Sequence, residues 1–241
     1  MSLLFSIFDK YPQVFIAMSE KSDGNMKPTG DFAFDQKVYS NQDKYINIIG
    51  LTQDKVVIPN QVHGDNIVIV AEKDGGEIIS NADALITNKS NLFLSIRVAD
   101  CVPIYLFDPK SGTIALIHAG WRGLAKNIIN KTVNEAIEKL DLDPGSTIVG
   151  IGPSICSKHY EVKEDVAQNF SNHQKVIIRA KDKIYLDLTK IAEDQLIESG
   201  IGMENIETSP TCTFESEKYF SYRRDKPVNT ECMMAVIGLS N

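Results

Sequence analysis

Cysteine is scarce in this sequence, and its spacing excludes two classes of protein. The 241-residue chain has four cysteines, at positions 101, 156, 212 and 232. That density is too low for a small secreted domain held together by disulfides. The chain also has no C-x-x-C pair, a common feature of structural zinc sites with four protein ligands. We therefore expect each cysteine to be a free thiol or a metal ligand.

Long apolar segments are missing as well. No stretch approaches the roughly 20 apolar residues that a membrane-spanning helix needs, and even the apolar segment Leu92 to Val98 contains Ser95 and Arg97. The N-terminal run Leu3 to Phe8 ends at Asp9 and has no basic leader, so it does not resemble a signal peptide. We expect a soluble, cytoplasmic protein that does not bind a membrane.

The chain has fewer positive than negative side chains. The chain has 25 Lys and Arg residues against 32 Asp and Glu residues, a net charge of -7. No segment is rich in Lys or Arg, which argues against a broad nucleic-acid-binding surface. A local basic pocket for phosphate remains compatible with this charge. The composition favours a small-molecule substrate, and nothing in it predicts an oligomeric state.

The chain does have enough length and apolar content for a large core. With 43% hydrophobic and 24% charged residues, it predicts one globular domain over residues 1–241. Apolar segments predict strands over 56–59, 66–70, 92–98, 104–107, 113–117, 148–153 and 233–237, and helical spacing predicts helices over 124–140, 162–170 and 188–199. The predicted fold class is α+β, with mixed β-sheets flanked by helices.

Three short segments contain residue types that bind metals. They are Asn60-Gln61-Val62-His63-Gly64, Ala99-Asp100-Cys101-Val102-Pro103 and His118-Ala119-Gly120-Trp121-Arg122-Gly123. His63, Cys101 and His118 would leave the fourth tetrahedral position of a zinc ion for water or substrate. Bound Zn²⁺ lowers the pKa of water to about 7. These segments therefore predict a catalytic zinc site with hydrolytic or deaminating chemistry.

Residues beside these ligands have alternative roles. Cys101 could instead be the nucleophile of a cysteine hydrolase, although the two histidines favour a ligand. Asp100 is either the proton carrier that deamination needs or a carboxylate that orients a histidine. Arg122 lies at a Gly-rich helix entrance and is a candidate anion-binding residue, the alternative being a surface salt bridge.

Eight segments together resemble one protein family. They are Asn60-Gln61-Val62-His63-Gly64, Ala82-Asp83-Ala84-Leu85-Ile86-Thr87, Ala99-Asp100-Cys101-Val102-Pro103, His118-Ala119-Gly120-Trp121-Arg122-Gly123-Leu124, Ile151-Gly152-Pro153, Tyr160-Glu161-Val162, Leu186-Asp187-Leu188 and Phe220-Ser221-Tyr222-Arg223-Arg224-Asp225. In this order they resemble the multicopper polyphenol oxidase, or laccase-like, domain family. Its members are also described as purine nucleoside phosphorylases and peptidoglycan editing factors.

The resemblance implies a His-Cys-His metal site at His63, Cys101 and His118. Family members are credited with adenosine deamination, with phosphorolysis of adenosine, inosine and methylthioadenosine, and with removal of wrongly incorporated amino acids from cell-wall precursors. The chain is therefore interpreted as a zinc-dependent purine nucleoside enzyme whose second substrate can be phosphate. The alternatives are an amidase that acts on a cell-wall precursor and a catalytically impaired metal-binding scaffold.

Copper is the less favoured metal. Multicopper oxidation needs further histidine-rich centres besides a His₂Cys site with an axial ligand. Outside the three predicted ligands, the chain has only His159 and His173. We therefore expect zinc despite the historical name of the family.

Two regions depart from the family pattern. The family's N-terminal Ser-Thr-Arg and Ser-Leu-Asn-Leu stretches correspond to Phe15 to Glu20 and Asp31 to Phe34, where the arginine is missing. The family's terminal Thr-Gly-Arg corresponds to Thr230-Glu231-Cys232. Both differences remove positive charge, so the sequence predicts weak phosphorolysis and a retained water-based reaction.

Four further residues are assigned to substrate binding: Asn60 and Gln61 beside His63, and Arg223 and Arg224 near the C-terminus. Of the two arginines, one is expected to face the site and the other to be structural. The remaining cysteines, at 156, 212 and 232, are interpreted as small buried apolar residues, with His159 at a rim and His173 in solvent. Asp83 and Asp187 are expected to make structural hydrogen bonds at turns or strand ends.

Overall fold

Two large β-sheets pack face to face, and helices cover their outer faces. The computed structural model describes residues 5–171 and 173–240. Within these ranges the α-helices are α1 (Phe32–Ile48), α2 (Trp121–Ala125), α3 (Ile128–Leu140), α4 (Glu164–Ala167), α5 (Leu188–Glu198) and α6 (Tyr222–Asp225). The strands are β1 (Val14–Met18), β2 (Val56–Asn60), β3 (Ile67–Ile69), β4 (Ile78–Ser80), β5 (Ala84–Thr87), β6 (Phe93–Val98), β7 (Val102–Asp108), β8 (Thr113–Ala119), β9 (Ile148–Ile151), β10 (Glu161–Val162), β11 (Ile177–Ala180), β12 (Lys183–Leu186), β13 (Ile206–Thr208) and β14 (Met233–Leu239).

Both large sheets mix parallel and antiparallel pairs. One has five strands in the order β1-β14-β6-β2-β4, and the other has six in the order β13-β9-β7-β8-β5-β3, counted over the described residues. A small sheet, β10-β12-β11, lies beside them. The predicted α+β class with mixed sheets and flanking helices is confirmed.

Alternating side chains explain why the central strands are apolar on both faces. In β8, Ile114 and Leu116 belong to the core between the two sheets, whereas Ala115 and Ile117 face the helical layer. In β14 the odd-numbered residues from Met233 to Leu239 likewise enter the inter-sheet core. A strand buried on both faces gains stability from every side chain, so its sequence is a continuous apolar run.

Different helices cover the two outer faces. Buried side chains of α3 and α5 pack against the six-stranded sheet, and Tyr45 and Ile46 of α1 pack against the five-stranded one. Helix α1 begins after Asp31, whose carboxylate accepts hydrogen bonds from the N–H groups of Ala33 and Phe34. The sequence analysis did not predict this helix.

Two predicted helices differ from the structure. The helix predicted over 124–140 is interrupted at Asn127, which adopts a left-handed backbone with φ of 59° and separates α2 from α3. The one predicted over 162–170 is instead the end of β10, followed by α4 and a 3₁₀ turn over 168–170. The helix predicted over 188–199 is confirmed as α5. Among the described residues, no helix has the length and hydropathy to cross a bilayer.

Glycine at position 238 makes room for an aromatic ring between sheet neighbours. Gly238 of β14 pairs with Phe93 of β6, and a Cβ atom at Gly238 would overlap the Phe93 ring. We predict that Gly238→Ala lowers the free energy of unfolding by about 1–3 kcal/mol, because the added methyl group overpacks the sheet. Chemical denaturation measures the change.

A double-mutant cycle with Phe93→Leu tests the cause of this loss. With the ring removed, the added methyl group should cost less, so the two substitutions should couple by about 1 kcal/mol. Strictly additive losses would show that Phe93 is not the obstacle.

Candidate metal centre

Three chain segments meet where strands of the two sheets end. His63 lies in the loop between β2 and β3, Cys101 lies between β6 and β7, and His118 is near the end of β8. The antiparallel pairing of β7 with β8 places Pro103 opposite His118, so Cys101 comes close to that histidine. One ligand atom from each of the three residues lies within 4.8 Å of the others. The structure thus brings together the three ligands predicted from sequence.

Local backbone geometry makes this approach possible. His63 has a φ of 56°, in the left-handed region that non-glycine residues rarely adopt. Gly120 has no side chain, and a Cβ atom there would lie 3.1 Å from the Cys101 sulfur and 3.6 Å from the His63 ring. The His63 and His118 rings are 4.8 Å apart and perpendicular. A strained loop and a glycine therefore keep the space around the sulfur open.

The buried carboxylate of Asp83 organises the whole group. Its Oδ1 lies 2.8 Å from the Nδ1 atom of His118, and its oxygens also accept hydrogen bonds from the backbone N–H groups of Val62, His63 and Gly64 at 2.7 to 3.3 Å. Burial opposes the charged carboxylate, but these hydrogen bonds lower the pKa of Asp83 below its ordinary value. Asp83 thus fixes both the ring of one predicted ligand and the loop that bears another.

The Cys101 thiol is tuned towards its anionic form. Burial disfavours a thiolate, yet the charge of His118 and hydrogen bonds from His118 and His63 outweigh it and lower the thiol pKa to about 6. Burial similarly disfavours a charged His118, but the Cys101 thiolate and Asp83 raise the imidazole pKa to about 9. A sulfur that ionises this readily is a good metal ligand and also a good nucleophile.

This donor set fits a metal ion. A thiolate and two imidazoles are typical zinc ligands, and three of them leave one tetrahedral position. The Asp83–His118 pair is the usual arrangement in which a carboxylate orients a metal-binding histidine. The sequence analysis gave this role to Asp100 as one of two alternatives, and the structure gives it to Asp83.

Asp100 lines the site but makes other contacts. It is buried. Its Oδ1 accepts a hydrogen bond from the Thr213 hydroxyl at 2.7 Å, and its Oδ2 accepts one from the backbone N–H of Arg223 at 2.7 Å. No described hydrogen bond joins Asp100 to a histidine ring. These contacts make it a residue that positions the Arg223 segment against the strand end that carries Cys101.

The two arginines near the C-terminus have different roles. Arg223 lines the pocket, where its guanidinium lies 5.1 Å from the centre of the Tyr160 ring and donates to the Glu161 carbonyl. Arg224 instead donates to the carbonyls of Thr213, Phe214, Ser216 and Tyr219. The expectation of one site-facing and one structural arginine matches this placement, whereas substrate binding by Arg224 does not, because its guanidinium is used within its own loop.

The other predicted site residues line the same pocket. Asn60 is exposed there, and Gln61 is clamped to the backbone of Arg97 by two hydrogen bonds of 2.7 and 2.8 Å. Arg122 is the second residue of α2, with its guanidinium 4.4 Å from the centre of the Trp121 ring. Of these side chains, Asn60 and Arg122 are left with polar groups facing the cavity.

The pocket also contains residues that the sequence analysis gave no role. Lys27, Arg97, Tyr160 and Tyr222 all line a cavity of about 430 Å³ beside the three predicted ligands. Tyr160 and Tyr222 belong to segments that carry the family resemblance, which was the signal available for them. Lys27 and Arg97 come from segments without a recognisable motif.

Comparison with known proteins places this geometry in a family. Residues 27–240 match the family model described as multi-copper polyphenol oxidoreductase laccase. The chain belongs to this family. The match includes every predicted site residue, and it confirms the resemblance drawn from the sequence.

The names of curated relatives give an activity different from the oxidation in the description of the family model. A purine nucleoside phosphorylase of Corynebacterium glutamicum is 34% identical over 193 residues, covering 79% of this chain and 77% of the relative. One of Bacillus subtilis is 31% identical over 219 residues, covering 85% and 78%. This chain is thus similar to proteins that are named purine nucleoside phosphorylases.

Solved structures share the fold over nearly the whole chain. The hypothetical protein YfiH of Bacillus licheniformis has a TM-score of 0.88 at 30% identity, covering 96% of this chain and 95% of that one. YlmD of Geobacillus stearothermophilus also has a TM-score of 0.88, at 28% identity, with 96% and 93% covered. The arrangement of mixed sheets and helices is therefore shared with both of these proteins.

We predict that Asp83→Asn weakens metal binding about 10- to 100-fold, because the His118 ring and the 62–64 loop lose the carboxylate that orients them. Titration of the metal-free protein with Zn²⁺ measures the affinity. Asp108→Asn is the matched control, since Asp108 is also a buried aspartate with several hydrogen bonds, but in a turn formed by Lys110, Ser111, Asp143 and Ser146. Equal metal affinity of both variants and the parent protein would refute the role assigned to Asp83.

Proposed function

We propose that this chain is a zinc-dependent purine nucleoside phosphorylase, which transfers the ribosyl group of adenosine, inosine or methylthioadenosine to phosphate. The observation that carries the proposal is the pocket beside His63, Cys101 and His118. Its walls combine several cationic side chains with aromatic rings. Phosphate and a purine base are the two chemical groups that such walls bind.

The charge of the pocket supports an anionic second substrate. Lys27, Arg97, Arg122 and Arg223 line it, and among the described lining residues the only carboxylate is Asp100. Both oxygens of Asp100 already accept hydrogen bonds from the protein. Net positive charge therefore remains for phosphate. Of these cations, Lys27 and Arg97 lie outside the segments that carry the family resemblance, and they offset the two positive charges that the family pattern has and this sequence lacks.

The aromatic side chains support a flat substrate. Trp121, Tyr160 and Tyr222 line the pocket, and two of these rings carry an arginine guanidinium on their face. Such stacking holds Arg122 and Arg223 at the wall in a restricted geometry. The cavity volume of about 430 Å³ lies in the usual range for small-molecule sites. A nucleoside and a phosphate ion are compatible with that space.

Zinc fits the three ligands better than a copper cluster does. His63, Cys101 and His118 would hold the ion, and the chain has four histidines in total, too few for multicopper oxidation. When bound, zinc supplies a Lewis acid beside the substrate and can activate water at neutral pH. Deamination of adenosine is therefore the second candidate reaction.

The residues of the chain have defined tasks in phosphorolysis. Arg122 and Arg223 hold the phosphate, one of whose oxygens attacks C1′ of the ribose as the C1′–N9 bond breaks. The electron pair of that bond leaves with the purine, which takes up the proton of the hydrogen phosphate, so the products are ribose 1-phosphate and the neutral base. Asp100 holds the backbone N–H of Arg223, and Asp83 holds the His118 ring and the His63 loop. Positioning of this kind contributes several kcal/mol to lowering a barrier.

A specific observation favours a third activity. Cys101, His118 and Asp83 form a Cys-His-Asp series in which the carboxylate orients the imidazole and the imidazole contacts the sulfur. That is the arrangement of a cysteine hydrolase. It would support the amidase that acts on a cell-wall precursor. The second histidine, His63, has no place in that mechanism, so phosphorolysis stands first.

We predict that the zinc-loaded protein releases adenine from adenosine only when phosphate is present, because the pocket provides an anion site beside the nucleoside. Chromatography of the products measures this. Inosine formed without phosphate would instead establish deamination. Turnover of neither adenosine, inosine nor methylthioadenosine, with cleavage of muropeptides, would replace the proposal by the amidase.

Two variants locate the reaction. Arg223→Ala should raise the KM for phosphate about tenfold or more, because it removes a charged hydrogen-bond donor from the pocket wall. Arg179→Ala is its control, since Arg179 is exposed and pairs with Glu164. His63→Ala should abolish turnover and the binding of metal by the group of His63, Cys101 and His118. Full activity of His63→Ala in a metal-free preparation would refute a zinc mechanism.

A further inference from the structure

A second group of metal-binding side chains lies in two other loops. Cys156 and His159 belong to the loop between β9 and β10, and Cys212 and Glu215 belong to the loop between β13 and α6. One ligand atom from each of the four lies within 4.8 Å of the others. The sequence analysis interpreted these cysteines as small apolar residues and His159 as a rim residue. Their convergence calls for another explanation.

The distances from the His159 nitrogen to the other three donor atoms match a tetrahedral zinc site. The His159 Nδ1 atom lies 3.3 Å from the Cys156 sulfur, 3.8 Å from the Cys212 sulfur and 3.5 Å from Glu215 Oε1. Tetrahedral bonds of about 2.3 Å to sulfur and about 2.1 Å to nitrogen or oxygen separate a sulfur from a nitrogen by about 3.6 Å, and a nitrogen from an oxygen by about 3.4 Å. The donors therefore need little movement to coordinate one ion.

The surrounding structure holds the donors in place. The His159 ring stacks on Phe214 with centres 4.3 Å apart and planes at 11°. The Cys156 N–H donates to the Cys212 sulfur at 3.3 Å. A parallel bridge joins Ser154 to Cys212, so the two loops are already aligned by their backbones. Such preorganisation distinguishes a built site from a chance cluster of side chains.

We propose that Cys156, His159, Cys212 and Glu215 bind a structural Zn²⁺ ion. Two thiolates, an imidazole and a carboxylate fill all four tetrahedral positions, which leaves none for water or substrate. A disulfide between the cysteines would account for neither the direction of the His159 Nδ1 atom nor the nearby carboxylate. This site is separate in residues and in role from the one formed by His63, Cys101 and His118.

An ion at this second site would stabilise one wall of the pocket. His159 is followed directly by Tyr160, whose ring lies beneath the Arg223 guanidinium. Cys212 is followed by Thr213, whose hydroxyl donates to Asp100. An ion that joins the two loops would therefore fix the positions of Tyr160 and Asp100 relative to each other.

Metal counting on the full chain tests the proposal. The reduced protein is loaded with Zn²⁺, freed of loosely bound metal by gel filtration, and measured by mass spectrometry of the elements. We expect two equivalents per chain, one equivalent in His159→Ala, in Cys212→Ser and in His63→Ala, and none in His63→Ala combined with His159→Ala. Cys232→Ser is the matched control, because Cys232 is a buried cysteine outside both groups, and it should keep two.

Cobalt spectroscopy identifies the ligands of the second ion. In the His63→Ala/Cys101→Ser background, Co²⁺ should give a tetrahedral spectrum with thiolate-to-cobalt charge transfer that disappears in Cys156→Ser. If a cysteine variant fails to fold, His159→Ala provides the same test, because the His159 side chain is partly exposed and its loss should also remove the cobalt spectrum. A single zinc equivalent in the wild-type protein that is lost in His63→Ala, a second equivalent that survives His159→Ala and Cys212→Ser, or a Cys156–Cys212 disulfide that forms in place of metal binding would each overturn the proposal.

Discussion

The buried carboxylate of Asp83 is the interaction on which the site depends. It has no exposed surface, and it accepts hydrogen bonds from the His118 ring and from three consecutive backbone N–H groups that include that of His63. A buried charge of this kind is tolerated only when its hydrogen bonds are all satisfied. The same group that must be satisfied for folding therefore orients one predicted ligand and places the loop of another. Cys101 completes the set because β7 starts where β8 ends.

The sheets supply the rigid frame around this carboxylate. Central strands buried on both faces bring two loops, which carry His63 and Cys101, close to the end of β8, which carries His118. The pocket walls repeat the principle, since Arg122 lies on Trp121 and Arg223 lies on Tyr160. Each cation is held by an aromatic ring and not by a carboxylate, which leaves its charge available to an anion. This is the physical basis for proposing a phosphate site in a chain whose net charge is -7.

The fold class was predictable because apolar runs are visible in a single sequence, and the convergence of His63, Cys101 and His118 was predictable because these are residue types that bind metals. The role of Asp83 was not, because it depends on the pairing of β5 with β8, which no local pattern encodes. Helix α1 was missed because its apolar residues do not form a clear stripe. The group around His159 was missed for a third reason. Its members come from two loops, with Cys212 56 residues beyond Cys156, and a folded chain is needed to bring them together.

Diffraction from crystals of the zinc-loaded chain, recorded on both sides of the zinc absorption edge, shows directly whether His63, Cys101 and His118 bind the ion. We expect an anomalous peak within bonding distance of these three side chains, with the Asp83 carboxylate still hydrogen-bonded to the His118 ring. A zinc-loaded crystal with no peak among them would refute the metal site and leave Cys101 as a nucleophile.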